Sequence, residues 1–584
     1  MLTALLWLFP VQLRYEYHAI ESLYIFGNNL PLFGILFYVW LGILLLLLFS
    51  KVKNSEWQRV ALVCIFALVV FGFWAINTPT GGHSDEPWNM GHVKYLQETG
   101  TIAFAHPIFS YFQFPGLHIL AFSISGVCEL EIFTTRTLFI VFSSVLFAAL
   151  SYVLFMKLLK NSYLSSLAVL LIVGNFVSPR DFWPGNLGLL LLICILTLLG
   201  RSAGRTRTLD MGTSMALVMI VLFAAFTISY LPGPTCFIFI LVGIYLLQSV
   251  VKKGGVALPI IVLFAVMFLA WEIYFAFTFF SRLAGYIPAL IAGFTTERVG
   301  SALTLTNPAP AWASSIKFFW LALTIGFGAI LGIWNLVKAR KLEPIEVLET
   351  GGLLGVIVFA LVSFLATPGF DQGMRALSYF ILFTIPIMLR FLSRFGRHDE
   401  LSCQNTLFED PGGSFNGNEF HRSVANYRSW FKGHVFTLLI ILFFVLSLPI
   451  FLIRMAPIST NAIYSYECSG GEFIESAYGT EELYLISDIY TTNIYSYYVP
   501  EAHFQNLPAP RSEEELFPGM NKTVDLFENY GNAIFVLSER FGQPDHHHQP
   551  AIVEPTDPRW VEIINRLAQN NKIYDNAHII FYER

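Results

Sequence analysis

About twelve apolar runs divide this chain, most of them near the ~20 residues a helix needs to cross a bilayer. They fall at 31–49, 60–76, 137–156, 164–177, 185–199, 211–229, 234–250, 257–280, 316–337, 351–366, 376–392 and 435–453. The runs are continuously apolar, not alternating, which selects helices over a membrane β-barrel. Only 13% of the 584 residues are charged, against about 25% in soluble proteins. The expected fold is a polytopic α-helical membrane protein with about 12 transmembrane helices and a small C-terminal α/β extracytoplasmic domain.

Lysine and arginine orient the spans, because basic residues concentrate in short cytoplasmic loops. One set of loops carries Lys51, Lys53 and Arg59, then Lys157 and Lys160, then Arg201, Arg205 and Arg207, then Lys252 and Lys253, then Lys338, Arg340 and Lys341. The 390–432 loop adds Arg394, Arg397, Arg422 and Arg428. The opposite loops carry few cations. Residue 85 and the tail after Arg454 are therefore expected outside a cell membrane. The apolar stretch 114–127 is short, and counting it as a span would put Lys157 and Lys160 outside. It reads as a helix in or dipping into the outer leaflet, within a long first outer loop of 77–136. The division is a transmembrane catalytic part at 1–454 and a soluble part at 455–584.

In the tail, Leu483–Ser487 and Asn532–Leu537 read as buried strands. Trp560, Ile563, Ile564 and Leu567 have helical spacing. Lys572–Tyr574 and Ala577–Tyr582 flank an Asp575-Asn576 turn as a hairpin. Asn521-Lys522-Thr523 is a glycosylation sequon. Among six cysteines only Cys468 falls in the tail, so no disulfide is expected, and there is no C-x-x-C pair for zinc. Net charge is −5 and no basic tract marks nucleic-acid binding.

Chemistry concentrates in Gly81-Gly82-His83-Ser84-Asp85-Glu86-Pro87-Trp88-Asn89-Met90-Gly91-His92-Val93-Lys94-Tyr95, just beyond the second apolar run. The plainer reading of Asp85-Glu86 is the cap of a helix from Pro87 to Gly100. The sharper reading is a carboxylate at the membrane surface, serving as a base toward a hydroxyl or amine. His83, His92, Lys94 and His118 would line the substrate. Histidine with carboxylate also suits a divalent metal, although no helical H-x-x-x-H pairing fixes one and no metal ligand is assigned. Arg180-Asp181 lies in a short outer turn, where a mutual salt bridge is the plain alternative. Arg375 opens a later helix, where headgroup snorkelling is the alternative. Outer carboxylates with outer cations suit attack by a hydroxyl on a sugar that leaves a lipid phosphate.

Asp85-Glu86 after an early membrane helix, Phe114-Pro115-Gly116-Leu117-His118-Ile119-Leu120, and Thr134-Thr135-Arg136 opening the next span together resemble the GT-C membrane glycosyltransferases. That group includes the protein O-mannosyltransferases and the lipid A aminoarabinose transferases. The resemblance implies a polyprenyl- or dolichyl-phosphate-linked sugar donor and transfer with inversion. The acceptor would be a protein, lipid or glycan. It also implies Asp85 as the base, Asp181 as a second acid and Arg375 as the phosphate-binding cation. The soluble part lacks the Trp-Trp-Asp-Tyr-Gly motif of catalytic oligosaccharyltransferase subunits, which argues against whole-glycan transfer to asparagine.

Two other classes compete. A transporter or flippase needs ionisable or broken helices at the midplane, and Glu272 is the one acid well inside a span. A metal-dependent lipid phosphotransferase needs an acidic cluster on the cytoplasmic side, whereas the acidic motif falls on the other.

Overall fold

The computed structural model describes residues 55–68, 71, 75, 85–102, 110–173, 182–203, 213–252, 256–277, 326–338, 341–366, 371–397, 465–478, 483–487, 494–495, 497–499, 503–506, 513–529, 533–538, 558–575 and 579–583. The expected spans at 31–49 and 435–453 lie outside these residues.

Helix α1 (Glu56–Ala67) starts on a capping box, with Ser55 Oγ accepting from the Gln58 N–H and Gln58 Oε1 accepting from the Ser55 N–H. Then come α2 (Asp85–Thr99), a 3-10 turn at Ser110–Gln113, α3 (Gly116–Cys128), α4 (Ile132–Leu159), α5 (Ser162–Val173) and α6 (Pro184–Ala203). The series continues with α7 (Thr213–Thr227), α8 (Pro232–Val251), α9 (Leu258–Tyr274), α10 (Gly326–Val337), α11 (Pro344–Ala366) and α12 (Asp371–Arg397). Among the described residues, stretches of α4, α6, α8 and α11 are long and apolar enough to cross a membrane. The chain is a helical, multi-pass membrane protein.

One core runs through the bundle, from Phe66 on α1 through Phe155, Leu171, Ile193, Phe223 and Phe237 to Leu389 on α12. Helices α8 and α11 pack closely because glycine faces backbone where they cross. A Cβ on Gly243 would strike the Gly351 carbonyl, and one on Gly355 would strike the Phe239 carbonyl. Small residues allow such approach where lipid offers no competing hydrophobic drive.

Helix α11 begins seven residues before the apolar run that marks it in the sequence. Its first turns carry Glu346 and Glu349, which look like loop residues, yet both are buried. Arg390 of α12 compensates them, with Nη1 at 2.8 Å from Glu349 and 3.9 Å from Glu346.

Helix α3 has only 13 residues, about 20 Å at 1.5 Å per residue and too short to span. Leu117, His118, Ala121 and Ser125 are buried, whereas Ile119, Leu120, Phe122 and Val127 are exposed. An apolar helix with an exposed apolar side suits a helix lying in a leaflet, as the sequence suggests.

The C-terminal part holds α13 (Ser465–Tyr478), β1 (Tyr484–Ser487), β2 (His503–Asn506), α14 (Glu513–Asn529), β3 (Ala533–Ser538), α15 (Pro558–Leu567), β4 (Asn571–Asp575) and β5 (Ile579–Glu583). The sheet order is β2-β1-β3-β5-β4, with β1 parallel to β2 and β3, and β5 antiparallel to β3 and β4. Side-chain alternation divides the core into two layers. Leu485, Ile534, Val536 and Phe581 pack with Ile474 of α13. Ile486, Ala533, Phe535 and Tyr582 pack with Val524 of α14 and Ile563 of α15. The expected strands, helix and hairpin are all present; β2, α13 and α14 are additions. The sequon falls inside α14 with Thr523 buried, which does not suit the surface loop a glycosylation acceptor occupies.

Candidate functional site

Helix α2, described from Asp85 to Thr99, matches the helix expected from Pro87 to Gly100. Gly100 has φ +67 and donates its N–H to the Leu96 carbonyl (2.9 Å), the left-handed stop that glycine makes at low cost. Asp85 is the first described residue of this helix.

The next residue, Glu86, is 1% exposed. Its Oε2 accepts from Arg136 Nε (2.8 Å) and lies 2.6 Å from Arg136 Nη2. Its Oε1 accepts from the Phe182 backbone N–H (2.8 Å). Arg136, fully buried, also donates from Nη1 to the Ala75 carbonyl (3.3 Å). Arg136 sits in the second turn of α4, so the helix starts before the arginine and not after it. Two guanidinium nitrogens thus converge on one carboxylate oxygen while a backbone N–H takes the other, and charge-assisted hydrogen bonds of this kind are short and strong. Glu86, which the sequence places beside Asp85 as a catalytic acid, has both oxygens engaged away from solvent.

A second chain of hydrogen bonds runs parallel to the first. Asn89, one turn after Glu86, donates from Nδ2 to the Phe182 carbonyl (3.2 Å). Its Oδ1 accepts from His118 Nε2 (3.1 Å). Phe182 is thus held through both its N–H and its C=O, and α3 is tied to α2.

His92 and His118, which the sequence places at the substrate, are fully buried. Their rings stack at 4.5 Å with 12° between planes, beside Phe112. His92 Nδ1 donates to the Trp88 carbonyl (2.7 Å). Burial pushes the His118 imidazole down to about 3, so the ring stays neutral. Both histidines fix the packing of α2 on α3.

Lys94 points elsewhere again. Its Nζ lies 2.6 Å from Glu475 Oε1 on α13 and donates to the Tyr498 carbonyl (3.1 Å). It also sits 5.3 Å from the centre of the Tyr497 ring, which packs on Phe133 of α4. Burial first, then the carboxylates Glu475, Glu131 and Glu98, push the Tyr497 phenol up to about 12. Lys94 thus joins the first-loop helix to the C-terminal part.

His83, Arg180 and Asp181 lie outside the described residues. For Asp85 and Arg375 only the backbone placement is described: the first residue of α2 and the second turn of α12. Among the described residues no group of three His, Cys, Asp or Glu side chains is placed to hold a metal ion. Arg136 and Asn89 were not singled out as site residues from sequence. The available signal was an arginine near the start of a 28-residue helix whose only other charged residue is Lys157. Such an isolated charge demands a partner.

No family model matches the chain, and no curated protein does. Among solved structures, the chain is similar to the oligosaccharyltransferase of Archaeoglobus fulgidus tethered to an acceptor peptide containing the NVT sequon. Identity is 12% over 84% of this chain and 70% of that one, with a TM-score of 0.49. It is also similar to ArnT from Cupriavidus metallidurans bound to undecaprenyl phosphate. There identity is 12% over 90% of this chain and 97% of that one, with a TM-score of 0.46. These scores stop short of a shared fold, and the functional reading rests on the chain's own residues.

Proposed function

We propose that this chain is a membrane glycosyltransferase that moves a sugar from a polyprenyl- or dolichyl-phosphate carrier to a hydroxyl or amine of a protein, lipid or glycan. The observation that carries the reading is the anchoring of Glu86 by Arg136 and by the Phe182 N–H. It holds the turn bearing Asp85 against the turn bearing Phe182, the residue that directly follows Asp181. Burying an ion pair at a membrane surface is costly unless position matters, and what it positions is the neighbouring acid.

In this reading Asp85 accepts the proton of the acceptor hydroxyl as that oxygen bonds to the anomeric carbon. The bond from that carbon to the phosphate oxygen breaks with its electron pair, and the lipid phosphate leaves as an anion. Arg375 stabilises that charge, and Asp181 and Arg180 contribute a second acid and cation. Attack opposite the leaving group inverts the anomeric centre. The active face lies outside the membrane, with 455–584 as a soluble cap over the 77–136 loop, joined to it through Lys94 and Glu475.

The test is sugar transfer from labelled polyprenyl-phosphate monosaccharides in membranes. Asp85→Asn keeps size and removes the base; transfer is expected to fall about 10²–10⁴-fold with the melting temperature unchanged. Equal transfer by both proteins would leave Asp85 as a helix cap and overturn its role.

A transporter or flippase is the second reading, and Glu272 favours it. Both carboxyl oxygens are buried without a hydrogen-bond partner among the described residues. Yet Glu272 lies two residues from the end of α9, next to Trp271, whose indole N–H donates to the Gln113 carbonyl (2.9 Å). That places it near a helix end and not at midplane. Substrate uptake into vesicles that is lost in Glu272→Gln, with no sugar transfer from any donor, would establish this reading instead.

A further inference from the structure

At the end of the bundle opposite Asp85, a cavity of about 780 Å³ opens between α4, α6 and α11. Lys157, Lys160 and Arg201 line it together with Val153, Met156 and Leu198. Lys157 and Lys160 come from the end of α4, and Arg201 from the last turn of α6.

Cations at helix C-termini have an ordinary explanation, since they complement the helix dipole. That accounts for Lys252 at the end of α8. It does not account for three cations converging on one half-apolar cavity. All three are exposed, and none has a carboxylate partner among the described residues. The nearby acids of α11 are already taken. Arg390 holds Glu346 and Glu349 and also donates to the Leu158 carbonyl. The cavity is left with an uncompensated positive charge beside an apolar wall.

Its depth also matters. The 28 residues of α4 extend about 42 Å at 1.5 Å per residue, longer than the ~30 Å hydrocarbon core. The basic end of α4 therefore reaches headgroup level. Val153, one turn before Lys157, is 40% exposed on this candidate span. A free phosphate has no use for that apolar wall.

We propose that this cavity binds an anionic phospholipid. Its phosphate sits among Lys157, Lys160 and Arg201, and its glycerol and upper acyl carbons lie on Val153, Met156 and Leu198. The site is separate from the Asp85 face and does not depend on the transfer chemistry.

The experiment uses the full chain in neutral detergent, reading melting temperature and lipid retention by native mass spectrometry. The probes are phosphatidylglycerol, phosphatidylcholine and inorganic phosphate. Phosphatidylglycerol is expected to raise the melting temperature and to remain bound, while the other two do neither. In the triple variant Lys157→Gln, Lys160→Gln, Arg201→Gln, the apparent Kd for phosphatidylglycerol is expected to rise about a hundredfold. That follows from about 1 kcal/mol per cation at an anionic surface, at 1.4 kcal/mol per tenfold. The control Lys252→Gln, Lys341→Gln removes exposed cations at the same end but outside the cavity, and should keep wild-type affinity. An equal loss in the control would reduce the effect to general surface attraction and overturn the site. An equal response to phosphatidylcholine would overturn the charge selection, and an equal response to inorganic phosphate would overturn the lipid. A triple variant matching wild type in both readouts would overturn the proposal outright.

Discussion

Two arginine–carboxylate clusters in this molecule use the same chemistry in opposite surroundings. Arg136 and Glu86 are 0% and 1% exposed and close a membrane-level helix contact. Arg566 of α15 reaches Asp525 at 2.6 Å and Glu528 at 2.8 Å on α14, with side chains 26%, 61% and 41% exposed. The hydrogen bonds of Glu528 and then Asp525 hold the Arg566 guanidinium above its usual range. Geometry is equally good in both clusters, so distance does not separate them. Solvent does. The exposed cluster is screened and gives up side-chain entropy, whereas the buried pair leaves a bare charge in an apolar environment if either partner goes. Only the buried pair can therefore dictate where its neighbours stand.

The largest expected effect follows from that asymmetry. Arg136→Met should destabilise the protein by about 3–5 kcal/mol, seen as a lower melting temperature in detergent, with loss of transfer. Adding Glu86→Gln should restore much of the stability but not the transfer, because the partner charge is gone while the anchor remains broken. A double variant as unstable as the sum of the two single variants would break the comparison, since it would show that the pair is not a coupled unit.

The buried region should also respond to acid. His118 has its folded-state value lowered from 6.5 to about 3, so between those values the unfolded chain binds a proton that the folded chain does not. Stability is full above pH 6.5 and falls with decreasing pH at about 1.4 kcal/mol per unit, levelling off near 3. Denaturant melts between pH 7 and 5 should show this slope, and His118→Gln should flatten it. An unchanged slope in the variant would move the acid response to another group. The smallest effect belongs to the exposed cluster: Arg566→Ala should cost about 1 kcal/mol or less, shrinking further in high salt.

Much of this architecture is legible in the sequence because hydropathy is a local property. The apolar helices from 137 to 250, the strands at 484 and 533, and the closing hairpin all announce themselves within a window of some twenty residues. The departures share one cause. Glu346 and Glu349 look like loop residues until Arg390 is placed beside them, 41 residues on from Glu349. The partners on the Glu86 oxygens, Arg136 and Phe182, lie 50 and 96 residues away. The stacking of His92 on His118 likewise joins two separate helices. A polar group's role depends on its partner, and in each of these cases the partner lies beyond any local pattern. Arg136 is the exception that could have been suspected, since an arginine in a nearly uncharged helix requires an anion.

The contact between Lys94 and Glu475 spans 381 residues of chain. At about 5–20 residues per second of synthesis, Lys94 leaves the ribosome roughly 20–80 s before its partner. The helix that begins with Asp85 can settle against α3, α4 and the Phe182 turn during that interval. Its far side has to wait. The far side of α2 thus meets Glu475 and the Tyr498 carbonyl only in the last quarter of translation.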